Sequence, residues 1–248
     1  MVDDPFITVF VPGYNVESFV ERCLQSIAIQ HYPHFEVQLV DDASTDETGR
    51  FMDDYVNKFD TWEVTHNTVN QKMPCNLTPL RFGDPEDVIV IVDADDFLPT
   101  AEVLSVIAAS YQDPNLWLMY GSYQRWPDST WMPNPAKPFP PQVIRNRSFR
   151  DYSEIELVYN HPLTFRRRLL QTIEDWELQD DGGNWFTAAY DHTIMMPMLE
   201  MAADHFKFCP SVLYVYNEDN EQSEAKLDRS EGIRVHQIVN SRPVRDQL

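Results

Sequence analysis

Three carboxylates follow one apolar stretch of the sequence, and their chemistry is that of a metal site. Asp93, Asp95 and Asp96 come directly after residues 88–92, which are five consecutive β-branched residues. Carboxylates this close repel one another unless a cation lies among them, and Mg²⁺ or Mn²⁺ prefers such oxygen ligands. The pattern predicts a metal site, although a polar loop leading into a helix with Pro99 in its first turn would also explain it.

The stretch before these acids predicts where they lie. A continuous β-branched run bounded by polar residues is typical of a strand buried on both faces of a parallel sheet. In open α/β sheets, ligands bind at the carboxyl ends of the strands, which is where the three acids would be. Polar groups also follow two earlier predicted strands, Tyr14 and Asn15 after the first and Asp42 after the second.

Hydrophobic periodicity divides the first half of the chain into alternating strands and helices. Strand patterns cover residues 6–11, 35–40, 62–65 and 87–92. The β-α-β-α-β alternation predicts an α/β fold with a mostly parallel central sheet flanked by helices. Asn15 is predicted as the N-cap of the first helix, and Ser44 with Glu47 has the spacing of a capping box before the second.

Composition excludes several classes of function. The 248-residue chain carries a formal net charge of -21, which argues against binding to nucleic acids or anionic membranes. It has no glycine-rich phosphate loop, so a metal ion would have to neutralise the phosphates of a bound nucleotide. Its three cysteines have neither zinc nor disulfide spacing. With no apparent signal peptide or membrane span, the sequence predicts a cytoplasmic protein.

The second half of the chain is less regular. Strand patterns cover residues 116–123 and 212–216, and helical spacing covers 191–204. Residues 126–141 contain six prolines, which favours a lid, a binding loop or a plain structural loop. The arginines at 166–168 would meet phosphate or form a solvated helix face. The polar segment from residue 217 is predicted to be a loosely ordered tail that docks a partner.

The order and spacing of several segments resemble the family-2 glycosyltransferases with the GT-A fold. The matching segments are residues 9–15, 23–27 with Gln30, 36–46 and the D-x-D at 93–95. Residues 165–167 and 190–191 match more loosely, at the family's segment before the acceptor loop and at the place of its catalytic acid pair. Residues 148–150, 197–202 and 212–217 resemble a subgroup from large viruses and bacteria, some members of which are similar to collagen-type glycosyltransferase domains. The resemblance implies a GT-A domain over residues 1–216, with a nucleotide-sugar half at 1–98 and an acceptor half at 99–216, followed by a tail at 217–248.

The resemblance also implies roles on the donor side. Pro12 and Tyr14 would lie against the nucleotide base, Asn15 and Ala94 would contact the nucleotide-sugar, and Asp42 would accept a hydrogen bond from uracil. Asp93 would contact the ribose or a metal-bound water, and Asp95 would ligate Mn²⁺ or Mg²⁺. The family's frequent diphosphate-binding arginine is missing near residues 72–76, and Lys72 or Arg81 would replace it.

On the acceptor side, the resemblance implies that Asp191 is the general base. The alternative is that Asp191 is only the N-cap of the helix that follows. The family usually carries a Glu-Asp pair here, and this chain has Tyr190 before Asp191. His161 and His192 would contact the acceptor or the metal, or be structural.

Together these features predict a metal-dependent glycosyltransferase that moves a sugar from a UDP-sugar to a hydroxyl of a glycan or a protein side chain, with inversion. Two alternatives remain open: a non-catalytic module that binds a nucleotide-sugar or a glycan, and another metal-dependent enzyme acting on nucleotides. A homodimer is also left open, as is a viral or bacterial origin.

Overall fold

The computed structural model shows an α/β fold built on one seven-stranded sheet. The described residues are 4–130, 136–155, 159–221, 223, 226 and 229–248. Helices flank a sheet whose pairings are mostly parallel. The predicted fold class is therefore confirmed.

The first four strands form the parallel half of the sheet. They are β1 (Ile7–Gly13), β2 (Phe35–Asp41), β3 (Trp62–His66) and β4 (Val88–Ile91), in the spatial order β3-β2-β1-β4. Their pairings are parallel, so β1, β2 and β4 all end at one edge, which we call the carboxyl edge. In β4, Ile89 and Ile91 pack into one core while Val88 and Val90 pack into the other. This confirms a strand buried on both faces.

Helices connect these strands. They are α1 (Val20–Ala28), α2 (Thr48–Val56), α3 (Met73–Asn76) and α4 (Val103–Tyr111), with a 3-10 turn at Thr78–Arg81. The predicted caps of α1 and α2 are wrong. Phe19 and Glu47 occupy the N-cap positions, and neither makes a side-chain capping bond.

Shorter strands complete the fold. They are β5 (Leu118–Tyr120), β6 (Gln124–Trp126), β7 (Leu163–Arg166), β8 (Phe206–Phe208) and β9 (Val215–Asn217). The sheet continues from β4 in the order β7-β5-β8, and β7 runs antiparallel to both of its neighbours. A separate two-stranded sheet pairs β6 with β9. Of the proline-rich segment, residues 131–135 lie outside the described part of the chain.

The remaining helices cover the second half of the sheet. They are α5 (Pro141–Asn146), α6 (Phe149–Ile155), α7 (Arg167–Gln171), α8 (Tyr190–Ala202) and α9 (Arg229–Ser241), with a 3-10 turn at Asp175–Leu178. The helices α8 and α9 have 13 residues each. A membrane-spanning helix needs about 20 mainly apolar residues. Among the described helices, none is long and apolar enough to cross a bilayer.

Two of the three arginines at 166–168 are buried in the core. Arg166 and Arg167 are only 4% and 2% exposed. Arg166 donates to the carbonyls of Leu116 at 2.9 Å and Tyr111 at 2.9 Å. Arg167 donates to the carbonyl of Leu80 at 2.7 Å. Buried carbonyls need donors, and these guanidinium groups supply them, so both predicted roles are wrong for these two arginines.

The predicted loose tail is also wrong, because α9 packs against α8 with Val235 and Val239 buried. A buried ion pair anchors this arrangement. Arg150 Nε lies 2.5 Å from Glu200 Oε1, and its Nη2 lies 2.8 Å from Oε2. Arg150 Nη1 also donates to the carbonyls of Val239 and Arg242, each at 2.6 Å. One guanidinium therefore connects α6, α8 and the end of α9.

Replacing Glu200 by glutamine should lower the free energy of unfolding by about 3–5 kcal/mol, because it removes the negative charge that lies beside the buried guanidinium of Arg150. Urea denaturation measures the loss, and limited proteolysis should show faster cleavage near α9. The matched control is Glu47→Gln, which removes the exposed partner of Arg50. Equal stability of the two variants would contradict the anchoring role.

Candidate active site

The carboxyl edge opens into a cavity of about 1140 Å³. Its walls come from the ends of β1, β2 and β4, the start of α8 and one face of α9. The predicted site residues that line it are Pro12, Tyr14, Asn15, Asp42, Asp93, Ala94, Asp95, His161 and Asp191. Two predicted site residues, His192 and Arg81, are not part of this lining. The structure therefore brings together side chains from positions 12 to 191.

A glycine lets β1 approach the acidic loop. A Cβ on Gly13 would lie 2.9 Å from the Cβ of Ala94 and 2.9 Å from the Cε of Met52. The loop is also hydrogen-bonded to β1, since the N–H of Ala94 donates to the carbonyl of Pro12 at 3.1 Å. The backbone between Asp93 and Asp95 is therefore fixed against the end of β1.

Asn15 connects two loops of the carboxyl edge. It has a φ of +53°, a left-handed conformation that asparagine tolerates well. Its N–H donates to Ser44 Oγ at 3.0 Å, and its Oδ1 accepts from the N–H of Thr45 at 2.8 Å. The N–H of Val16 in turn donates to Thr48 Oγ1 at 2.8 Å. These bonds replace the predicted helix caps.

Asp42 is 5% exposed and organises the loop that precedes α3. Its Oδ1 accepts from Asn67 Nδ2 at 2.8 Å and from the N–H of Gln71 at 2.7 Å. Its Oδ2 accepts from the N–H of Lys72 at 3.0 Å. A carboxylate has about four acceptor positions, so these three bonds leave room for a further donor.

Asp93 is held from several sides at the end of β4. The hydroxyl of Tyr190 lies 3.0 Å from its Oδ1 and 2.9 Å from its Oδ2. The N–H of Asp93 donates to the hydroxyl of Tyr214 at 3.1 Å. His161 Nε2 lies 4.0 Å from Asp93 Oδ2. This side chain therefore connects the carboxyl edge to the first residue of α8.

Asp95 and Asp96 lie in different environments. Asp95 lines the cavity, and its Oδ2 accepts from Asn220 Nδ2 at 2.7 Å. Asp96 is 1% exposed, and its Oδ1 accepts from the N–H of Asn217 at 2.7 Å. Burial, with the negative charges of Asp95 and Asp93, raises the pKa of Asp96 well above its ordinary value. Asp96 therefore keeps its proton to a higher pH than an exposed aspartate does.

The donor set fits a divalent ion that arrives with a diphosphate. In the described part of the chain, no group of three or more His, Cys, Asp or Glu side chains forms a preformed metal site. Asp93 and Asp95 supply two carboxylates to the cavity. Mg²⁺ is commonly held by one or two carboxylates together with substrate phosphates, and Mn²⁺ accepts the same oxygen ligands. The residues therefore suit an ion that is bound jointly by the two carboxylates and the phosphates of a ligand, rather than an ion bound by protein ligands alone.

Asp191 enters the cavity from the start of α8. The N-cap position belongs to Ala189, whose φ is +52°, so Asp191 is not the helix cap. Burial raises the pKa of Asp191, while the N–H of His192 and the neighbouring His236 offset part of that rise. A carboxylate with a raised pKa is a better proton acceptor near neutral pH than an ordinary aspartate.

The two predicted histidines differ in access to the cavity. His161 lines it and stacks on Tyr214 with ring centroids 4.4 Å apart. Burial lowers the pKa of His161 to about 4, so its ring is neutral at pH 7. His192 is 0% exposed, with Nδ1 2.5 Å from the hydroxyl of Tyr159 and Nε2 3.0 Å from Asn240 Oδ1. Because both ring nitrogens are engaged, His192 has none left for a metal or an acceptor.

Sequence reasoning missed the wall formed by α9. Its cavity-lining residues are Arg229, Gly232, Ile233, His236, Gln237 and Asn240. Positions three and four apart lie on one helix face, as in this set. His236 also stacks on His192, with ring centroids 3.8 Å apart. The buried pair Val235 and Val239, four residues apart, is a sequence signal of this helix, but it forms only a narrow apolar stripe.

The cations near the cavity are also clearer in the structure than in the sequence. Lys72 and Arg229 line the cavity. Arg81, the other predicted diphosphate contact, is instead 2.5 Å from Asp175 Oδ1 through its Nη1. Arg81 is not part of the cavity lining, so it does not replace the family's arginine.

Comparison with known proteins identifies the family. The sequence profile of glycosyl transferase family 2 matches residues 8–174. A curated relative is the poly(ribitol-phosphate) beta-N-acetylglucosaminyltransferase TarS of Staphylococcus aureus strain Mu50, which is 34% identical over 94 residues. The match covers 37% of this chain, and it spans only 16% of the length of TarS.

Solved structures show the same fold. The crystal structure of S. aureus TarS 1-349 in complex with UDP-GlcNAc aligns with a TM-score of 0.63 and 19% identity, over 94% of this chain and 65% of that one. The mannosyltransferase PcManGT from Pyrobaculum calidifontis, in complex with GDP-Man and Mn²⁺, aligns with a TM-score of 0.63 and 20% identity, over 97% of this chain and 66% of that one. Since the family profile covers well over half of the sequence, this chain belongs to glycosyl transferase family 2.

Proposed function

We propose that this chain is a metal-dependent glycosyltransferase that transfers a sugar from a UDP-sugar to a hydroxyl group of a glycan or a protein side chain. One observation carries the proposal: Asp93 and Asp95 from the loop after β4 and Asp191 from α8 line the same cavity. Glycosyl transfer needs a cation to stabilise the diphosphate leaving group and a base for the acceptor hydroxyl; Asp93 and Asp95 would hold the cation, and Asp191 would be the base. Family membership and the UDP-GlcNAc complex of TarS support the donor class.

On the donor side, Asp95 and Asp93 would hold Mn²⁺ or Mg²⁺ together with the two phosphates. The bound ion would act as a Lewis acid that stabilises the negative charge developing on the departing diphosphate. Lys72 and Arg229 would add positive charge beside the phosphates. Asp42 would orient the base through its remaining acceptor position, with the half-exposed ring of Tyr14 against the base.

On the acceptor side, Asp191 would take the proton of the acceptor hydroxyl. The hydroxyl oxygen forms the new bond to the anomeric carbon while the bond from that carbon to the diphosphate oxygen breaks. The electron pair of the broken bond leaves with the diphosphate. A single base is sufficient for this direct displacement, which inverts the anomeric centre. The polar face of α9 would bind the acceptor beside Asp191.

A panel of nucleoside diphosphates and sugar donors tests the proposal. UDP with Mn²⁺ should raise the melting temperature, and at least one UDP-sugar should release UDP in the presence of Mn²⁺. GDP and GDP-mannose belong in the panel because a structural neighbour binds GDP-Man and Mn²⁺. Equal, low UDP release by the wild type and Asp95→Ala across the panel would refute the proposal. Release of pyrophosphate would point to nucleotidyl transfer, and UDP binding without turnover would point to a binding module.

A further inference from the structure

The hydroxyl of Tyr190 contacts both carboxylate oxygens of Asp93 in the cavity. It lies 3.0 Å from Oδ1 and 2.9 Å from Oδ2 of Asp93, so it sits between both carboxylate oxygens. A tyrosine hydroxyl has one proton to donate, and a carboxylate can only accept. The contact therefore fixes the plane of the Asp93 carboxylate as well as its position.

Tyr190 keeps its proton in this environment. Burial, followed by the negative charges of Asp93 and Asp191, raises the pKa of Tyr190 well above its ordinary value. A tyrosine hydroxyl is protonated at neutral pH, so it is the donor in this contact. A hydrogen bond from a neutral donor to an ionised acceptor is stronger than one between two neutral groups.

The backbone at Tyr190 gives this contact a second consequence. Tyr190 is the first residue of α8, and the preceding Ala189 has a left-handed backbone conformation with φ +52° and ψ +39°. Such a conformation in a residue other than glycine is costly and persists only where its surroundings enforce it. Asp191 comes next in the chain and lines the same cavity. The contact between Tyr190 and Asp93 therefore also fixes the backbone position of Asp191.

We propose that Tyr190 is a positioning residue that orients the Asp93 carboxylate for the nucleotide donor and holds the first turn of α8, with Asp191, at a fixed distance from it. This inference rests on the proposed function. Asp93 is already held through its N–H by Tyr214, so the backbone is fixed and the Tyr190 hydroxyl restrains the remaining side-chain rotation. Preorganisation of this kind lowers the cost of binding.

The test is calorimetric binding of UDP in the presence of Mn²⁺ to full-length variants. Tyr190→Phe removes one oxygen and keeps the ring, and it should weaken UDP binding about tenfold, as loss of an orienting partner does elsewhere. The matched control is Tyr32→Phe, which removes a hydroxyl that donates to the carbonyl of Pro5 at the opposite end of β1. That variant should bind UDP as the wild type does.

A double-mutant cycle then asks whether Tyr190 acts through Asp93. In an Asp93→Ala background, Tyr190→Phe should cause no further loss of UDP affinity, because the oriented carboxylate is gone. The same loss in both backgrounds, or no loss in either, would overturn the inference. If Tyr190→Phe does not fold, Tyr190→Leu also removes the hydroxyl, and UDP binding as tight as that of the wild type would overturn the inference.

The design separates this inference from the proposed function. If wild-type protein binds neither UDP nor any other nucleotide of the panel with Mn²⁺, the proposed function fails. If the wild type binds UDP, Asp95→Ala does not, and Tyr190→Phe matches the wild type, the proposed function stands and the role of Tyr190 is refuted.

Discussion

Replacing Asp191 by asparagine should lower kcat by about 10²–10⁴-fold, the usual contribution of a general base. The amide has nearly the same shape as the carboxylate but cannot take a proton from the acceptor hydroxyl. The affinity for UDP with Mn²⁺ should stay close to that of the wild type, because the proposed donor contacts lie on the other elements of the cavity. Initial rates of UDP release and calorimetric titration with UDP measure the two effects separately.

The titration of Asp191 should also determine how kcat/KM falls at low pH. Burial raises the pKa of Asp191, so its protonated form persists to a higher pH than in an exposed aspartate. Only the ionised form accepts a proton, so kcat/KM should fall as the pH drops through this raised pKa. In Asp191→Asn the fall that belongs to Asp191 should disappear from the residual activity. A residual profile with the same acid limb would assign that limb to another group.

The control for Asp191→Asn is Asp204→Asn. Asp204 lies just beyond the far end of α8, and its side chain is 78% exposed. The substitution removes the same charge from the chain outside the cavity, so activity should be unchanged. Comparable losses in the two variants would mean that total charge, and not proton transfer at Asp191, limits the rate.

The parallel half of the fold was predictable because its signals are local. Each strand there is a short apolar run, and the residues that matter follow directly after it: Asn15 after β1, Asp42 after β2 and Asp93 after β4. Parallel strands end at the same edge, so this order alone predicted that the three side chains would meet. The resemblance to family 2 rests on these same segments and added Asp191 from far along the chain.

The acceptor half could not be predicted in the same way, because its structure depends on distant partners. Strand β7 lies between β4 and β5, and its register pairs Ile89 with Phe165 and Leu118 with Phe165. No pattern in the sequence around β7 indicates that this strand lies antiparallel between β4 and β5. Arg166 looked like a solvated charge because the carbonyls that it satisfies belong to residues about 50 positions earlier.

Helix α9 shows the same limit for the candidate site. Its segment is polar, and Val235 and Val239 give too narrow an apolar stripe to predict a docked helix. The docked helix is held in part by Arg150, which donates to the carbonyl of Val239 in α9 and to the carboxylate of Glu200 in α8. The first of these contacts joins residues 89 positions apart, so no local pattern predicts it.

Replacing Asp95 by alanine should reduce Mn²⁺-dependent UDP release by about 10³-fold, since several kcal/mol of leaving-group stabilisation would be lost. All three clustered acids line the cavity, but Asp93 is shared with Tyr190 and Asp96 is almost fully buried, which makes Asp95 the first choice for the proposed metal ligand. The affinity for Mn²⁺ measured in the presence of UDP should fall with the rate. The weak binding of UDP without Mn²⁺ should not change in the same way.

Asp96→Asn makes this prediction sharper, because it separates the effect of the charge on Asp95 from that of a charge on the almost fully buried Asp96. Burial favours the neutral form of Asp96, and asparagine imitates that form while its Oδ1 can still accept from the N–H of Asn217. The affinity for Mn²⁺ should therefore fall much less in Asp96→Asn than in Asp95→Ala. If the affinity for Mn²⁺ falls equally in the two variants, Asp96 must be ionised when the metal is bound. The metal must then stabilise a negative charge on Asp96 that the protein alone disfavours. The measured order of Mn²⁺ affinities among these variants thus decides whether the acids act as one cluster or as a cavity ligand beside a structural group.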